Sequence, residues 1–132
     1  TQKDLDYLLE SIDSRNIYLC FCPRSNYYIE DIIAPINTLI LNPVNCVIGT
    51  DSLASNHSLS ILEELKTIVS QFPEIPLSQL LKMATYNGAL ALKIENQFGS
   101  FTKGCKPGVN LLEHVDLQKL NIISDSFVRV LA

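Results

Sequence analysis

Three consecutive apolar residues, Cys46, Val47 and Ile48, stop at Gly49 and give way to Thr50, Asp51 and Ser52. So short and uniformly apolar a run suits a strand covered on both faces, as in parallel sheets wrapped by helices. Asp51 then falls at the carboxyl end of the strand. Parallel α/β folds keep their chemistry there, because the strands form a rigid base beneath open loops. A carboxylate so placed can ligate a hard or borderline metal ion, or take a proton from an attacking water. The same position suits a helix cap, with Asp51 or Ser52 accepting the first backbone N–H groups of the next helix. The segment alone is compatible with both.

The surrounding sequence supplies the helices such a strand needs. Leu5, Leu8, Leu9 and Ile12 recur at helical spacing and predict a helix over 2–14. Ile17 to Cys22 is apolar and β-prone, and Pro23 stops it ahead of a polar loop, Arg24-Ser25-Asn26. Ile32, Ile33, Ile36, Leu39 and Ile40 could line a second helix, started or interrupted by Pro35. Leu59, Leu62, Leu65, Ile68 and Val69 mark a further helix ending near Gln71. The rigid turn Phe72-Pro73-Glu74-Ile75-Pro76 precedes another, starting at Ser78 or the residue before it and running to Met83. Asn87-Gly88 reads as a helix break.

Helix and strand thus alternate, which argues for an α/β fold with a parallel sheet. The tail differs: Gly99, Gly104, Pro107 and Gly108 punctuate it, Val109 to Val115 is strand-like and Phe127 to Leu131 alternates. Two parallel strands cannot bury both their faces alone, so the chain reads as the end of a larger protein.

The bulk properties exclude several classes. A chain of 132 residues accommodates one domain with a usable core. No run of about 18 apolar residues exists, so no membrane span is expected. Nor is there a basic region followed by an apolar one, as a signal peptide would need. The net charge of −4 and the scattered basic residues offer no nucleic-acid surface. Cys20 and Cys22 alternate along one strand, and Cys46 lies inside another apolar run. Those positions suit reduced, buried thiols in a cytoplasmic protein, and no C-x-x-C or Cys/His spacing suggests a zinc cage.

Several short motifs then fall in a recognisable order. They are Cys22-Pro23-Arg24-Ser25-Asn26, Ile48-Gly49-Thr50-Asp51-Ser52, Ala54-Ser55-Asn56, Glu63-Glu64, Ala84-Thr85-Tyr86-Asn87-Gly88-Ala89, Gly99-Ser100-Phe101 and Gly104-Cys105-Lys106-Pro107-Gly108-Val109-Asn110-Leu111. Together they resemble the carboxyl-terminal part of metal-dependent amidohydrolases. The likeness is to the branch of cytosine deaminases, S-adenosylhomocysteine deaminases and chlorohydrolases. It implies a partial (β/α)₈ barrel over 1–97, whose last two strands are Ile17 to Cys22 and Cys46 to Thr50. It also implies that 98–132 is the carboxyl-terminal share of a small β-sandwich.

By the same resemblance, Asp51 is the last-strand aspartate that binds the catalytic metal and relays a proton. Ser25 and Asn26 face the substrate end of the barrel, while Ser52 and Asn56 shape the loop beside Asp51. Glu63 and Glu64 are read as a solvated face or an ion pair, and Asn87-Gly88 as support for the fold. The family's metal, zinc or iron, is held mainly by histidines on earlier strands: a His-x-His pair on the first and one histidine each on the fifth and sixth. This sequence contains only His57 and His114, neither on a matching strand. His57 reads as a loop histidine, and His114 lies in the tail, away from the barrel mouth. The isolated chain is therefore expected to bind no metal, to be inactive and to self-associate through its open sheet edges.

Two functional classes follow. One is a piece of a hydrolase that uses a metal-activated water on a C–N or C–Cl bond of a small heterocyclic substrate. The other is a non-catalytic α/β domain for binding or assembly.

Overall fold

The computed structural model describes residues 2–132. Helix α1 (Gln2–Ser11) and a 3₁₀ turn (Ser14–Asn16) lead into strand β1 (Tyr18–Phe21). Helices α2 (Pro23–Glu30) and α3 (Ile36–Leu39) carry the chain across to β2 (Asn45–Ile48), which pairs parallel with β1. Helices α4 (Ile61–Gln71), α5 (Leu77–Ala84) and α6 (Tyr86–Ala91) follow. In the tail, β3 (Asn110–Glu113) and β4 (Phe127–Val130) form an antiparallel ribbon. The architecture is mixed α/β. No helix among the described residues is long and apolar enough to cross a membrane.

One apolar cluster joins the layers. Phe21 and Cys46 from the parallel strands meet Ile36, Leu65, Ile68, Ile75, Leu80 and Met83 from the helices and turns around them. Leu19 and Ile48 pack against the same cluster, so alternate strand residues point to the helices. Cys20 and Cys22 lie on the opposite side, beside Gly49: a Cβ at Gly49 would come within 2.9 Å of the Cys20 sulfur and 3.2 Å of the Cys22 sulfur. Ile122, from the tail, is buried in the same cluster and ties the ribbon to the helical layer.

Several expectations change. The expected loop Arg24-Ser25-Asn26 is the first turn of α2, because Pro23 occupies the opening position, where its fixed φ and missing N–H cost nothing. The helix expected across Ile32 to Ile40 shrinks to α3. Asp31 closes α2 in a left-handed conformation, and Pro35 sits at the N-cap of the short helix that follows. The break expected at Asn87-Gly88 falls at Thr85, which has φ −130° and ψ −81°, and Gly88 lies inside α6. Asn87 is buried, its amide donating to the Cys46 carbonyl at 2.8 Å, and so braces β2. Cys46 is buried as expected, whereas Cys20 is exposed: it lies on the face of the sheet away from the helical cluster, beside its buried partner Val47.

Candidate active site

Asp51 stands just past the end of β2, and its backbone is left-handed, with φ 57°. Aspartate tolerates that region better than most side chains, yet it remains a strained conformation, on the order of 1–3 kcal/mol. It does not cap the next helix. Ser60 takes that position, its hydroxyl accepting from the Glu63 N–H at 3.3 Å, and Glu63 completes the serine-x-x-glutamate pattern.

The Asp51 carboxylate is instead gripped by two serines. Ser25 Oγ donates to Asp51 Oδ2 at 2.8 Å, and Ser55 Oγ donates to the same oxygen at 2.7 Å. Oδ1 takes no part in that pair. Hydrogen bonds from Ser55, then Ser25, then the Ser52 backbone hold the carboxyl below the usual aspartate range, so the group is ionised at neutral pH. Asp51 is exposed, while Ser25 and Ser55 are buried. The result is a fixed anion presented to solvent on a rigid base.

Each residue singled out by the sequence has a definite place. Ser25 belongs to the clamp, from the first turn of α2. Asn26 is one residue further along α2, its N–H bonded to the Cys22 carbonyl within the helix. Ser52 contributes its N–H to Asp51 and accepts from the Ala54 N–H at 3.3 Å, which tightens the loop. Asn56 is buried, and its amide donates to the Thr50 carbonyl at 2.8 Å and to Glu64 Oε1 at 2.6 Å. His57 is exposed and stacks edge-on against Tyr28, with ring centroids 5.6 Å apart. His114 packs likewise on Phe127 in the tail.

Glu64 overturns its expected place on a solvated face: it is completely buried. Its two carboxylate oxygens accept from the Arg24 N–H, at 2.9 Å, and from Asn56. Glu63, by contrast, lies near the surface and pairs with Lys66 at 2.8 Å. Helical spacing contained the signal, since Glu64 falls three residues after Ile61 and four before Ile68, inside the apolar stripe of α4. Ser55, the other missed residue, follows Asp51 by four positions. Only the turn of the loop brings it back.

Asp51 is a suitable oxygen donor for a divalent metal, but a catalytic zinc takes about three protein ligands. Among the described residues no group of three or more His, Cys, Asp and Glu side chains comes together. Asp51 thus fits as one ligand, and the described residues do not complete a centre around it.

Comparison with known proteins places this geometry in context. The sequence matches the amidohydrolase family over residues 2–130. It is 38% identical over 119 residues to a 5-methylthioadenosine/S-adenosylhomocysteine deaminase of Caldicellulosiruptor saccharolyticus, covering 85% of this chain and 28% of that protein. A 5'-deoxyadenosine deaminase of Methanobrevibacter smithii is 33% identical over 126 residues, covering 89% of this chain and 28% of the relative. Among solved structures, an adenosine deaminase from Xanthomonas campestris with bound zinc superposes with a TM-score of 0.67 at 28% identity, covering 82% of this chain and 25% of that one. The chain thus spans only about a quarter of the length of these relatives. With the family match running over nearly all its residues, the chain belongs to the amidohydrolase family.

Proposed function

We propose that this chain forms the carboxyl-terminal part of a metal-dependent deaminase, one that hydrolyses the exocyclic C–N bond of an adenine nucleoside altered at its 5' position. The observation that carries the reading is the ionised, serine-clamped carboxylate of Asp51 at the exit of a parallel strand. The substrate class is supported by the names of the relatives, which are deaminases of 5'-substituted or 5'-deoxy adenosines. No observation favours the alternative of a non-catalytic binding domain.

In this reading 1–97 closes a (β/α)₈ barrel with β1 and β2 as its last strands, and 98–132 joins a β-sandwich. The side of β1 that carries Cys20 and Cys22 would face the barrel interior, opposite the helices. Asp51 accepts the proton of the attacking water and delivers it to the departing amine. Its fixed orientation suits that task, because two serine hydroxyls hold Oδ2 while the residue stays exposed to solvent. Asp51 would also be one ligand of a zinc or iron ion, the rest of the set lying outside the described residues. Bound there, the metal would supply the acidity that lets water give up a proton near neutral pH. Ser25, Asn26, Ser52 and Asn56 line or brace the loops around the substrate.

The test is steady-state deamination of 5'-methylthioadenosine by the intact enzyme and by Asp51→Asn. Asparagine keeps the size but cannot serve as the base. Turnover should fall about a hundred- to ten-thousand-fold with the fold preserved. Near-normal turnover would end the assignment. Alone, the 132-residue chain should self-associate through its open strand edges, which light scattering across a concentration series would detect.

A further inference from the structure

Among the described residues Glu64 is the one buried carboxylate, and its side-chain hydrogen bonds lead toward Asp51 without touching it. Its Oε2 accepts from the N–H of Arg24, the residue before Ser25. Its Oε1 accepts from the amide of Asn56, the residue after Ser55. The same amide holds the carbonyl of Thr50, the residue before Asp51. Each member of the clamp therefore has a chain neighbour tied to Glu64, directly or through Asn56. A second link runs in parallel, with Arg24 Nη1 donating to Ser58 Oγ at 2.8 Å.

This arrangement is costly unless it has a use. A carboxylate taken wholly out of water loses its hydration, and two hydrogen bonds return only part of it. An apolar residue would fill the same place in the stripe of α4 more cheaply. What an apolar residue could not do is hold the first turn of α2 and the loop after β2 in one register. Ser25 comes from the former, and Asp51 and Ser55 from the latter.

We infer that Glu64, acting through Asn56 and the Arg24 backbone, is a positioning residue that sets the two halves of the Asp51 clamp against each other. The inference rests on the catalytic reading of Asp51. Loss of a group supporting a ligand residue typically costs 10- to 100-fold in activity, and a small misplacement of a reacting group acts in the same direction. Gln at position 64 has the size of Glu but turns one acceptor into a donor, so it cannot serve both the Arg24 N–H and the Asn56 amide.

The experiment is a double-mutant cycle in the intact enzyme, with Glu64→Gln, Ser25→Ala and the pair, and Asp51→Asn as reference. We expect kcat to fall at least tenfold in Glu64→Gln with KM little changed. We also expect the pair to be scarcely worse than the more damaging single substitution, because both act on one geometry. Unchanged kcat in Glu64→Gln, or losses that multiply in the pair, would overturn the inference while Asp51→Asn remains inactive. Near-normal turnover in Asp51→Asn would overturn the catalytic reading, and this inference with it. If Glu64→Gln does not fold, Asn56→Ser cuts the link to the loop while keeping the Arg24 contact. The same losses and the same non-additivity with Ser25→Ala are then expected, and multiplying losses or an unchanged kcat again overturn the inference.

Discussion

The helix-backed strands and the tail ribbon are built from similar sequence, yet only the former buries what it carries. On β1 and β2, Phe21, Cys46 and Val47 are all under a tenth exposed. On β4 every residue is exposed, Val130 at 73%. Apolar, β-prone residues thus form a strand in both places, but burial depends on a second layer. The strands at the site have α5 and α6 against β2, and α4 joins the same apolar cluster. The ribbon has one buried anchor in that layer, Ile122, and an ion pair between Glu113 and Arg129 across its strands. A functional group needs a base that does not shift, and only the first region offers one.

The strongest way to break this comparison is to show that chemistry depends on the tail. Asp51→Asn should cost two to four orders of magnitude in turnover, in keeping with loss of a general base. His114→Gln should leave turnover within about twofold, as its ring meets only Phe127 among the aromatic groups described. A comparable loss from both would erase the division of labour.

Stability should divide the same way. Ile68 is wholly buried, and Ile68→Ala should cost about 2–5 kcal/mol in urea unfolding, since a cavity is left in a packed cluster. Val130→Ala, on the exposed ribbon, should stay within about 0.5 kcal/mol. If the intact protein covers the ribbon, the second figure rises and measures that cover directly.

Gly49→Ala probes the closest packing beside the site. The added carbon would press on the sulfurs of Cys20 and Cys22, and about 1–3 kcal/mol of destabilisation is expected. Cys20→Ala in the same chain should recover much of it. No recovery would mean that the backbone, not the sulfur, sets the limit.

The smallest effects concern protons. Burial pushes the thiols of Cys22 and Cys46 up from 9.0 to about 11. A group whose pKa rises on folding stabilises the fold below its unfolded value and loses that contribution as pH climbs through the folded one. The native state should therefore weaken between pH 9 and about 11. Cys46 is buried and its thiol is held protonated by that burial, and access alone should make iodoacetamide modify it far more slowly than the half-buried Cys105 of the tail. Asp51 works at the acid end. Its lowered pKa stabilises the fold above 3.8, and that contribution is lost as pH falls through the depressed value.

How much of this was legible depends on the range of the interaction. Strands β1 and β2 were visible because their apolar runs are continuous, and α4 because its stripe repeats at helical spacing. The clamp was only half visible. Asp51 could be placed from the end of the run at Gly49, but its partner Ser25 lies 26 residues away and looked like part of a polar loop. Pro23 misled there, since a residue that ends a strand also opens a helix well. Glu64 has the charge of a surface residue, and only its place in the apolar stripe of α4 marks it as buried.

The left-handed backbone at Asp51 bears on how such a chain can change over generations. A single base change turns an aspartate codon into one for asparagine or glycine, the residues that accept this backbone most readily. Either change would relax or preserve the local conformation while removing the anion. Under the role proposed for Asp51, a silent descendant that folds as well as its parent is one mutation away, and nothing in the folding of the chain would select against it.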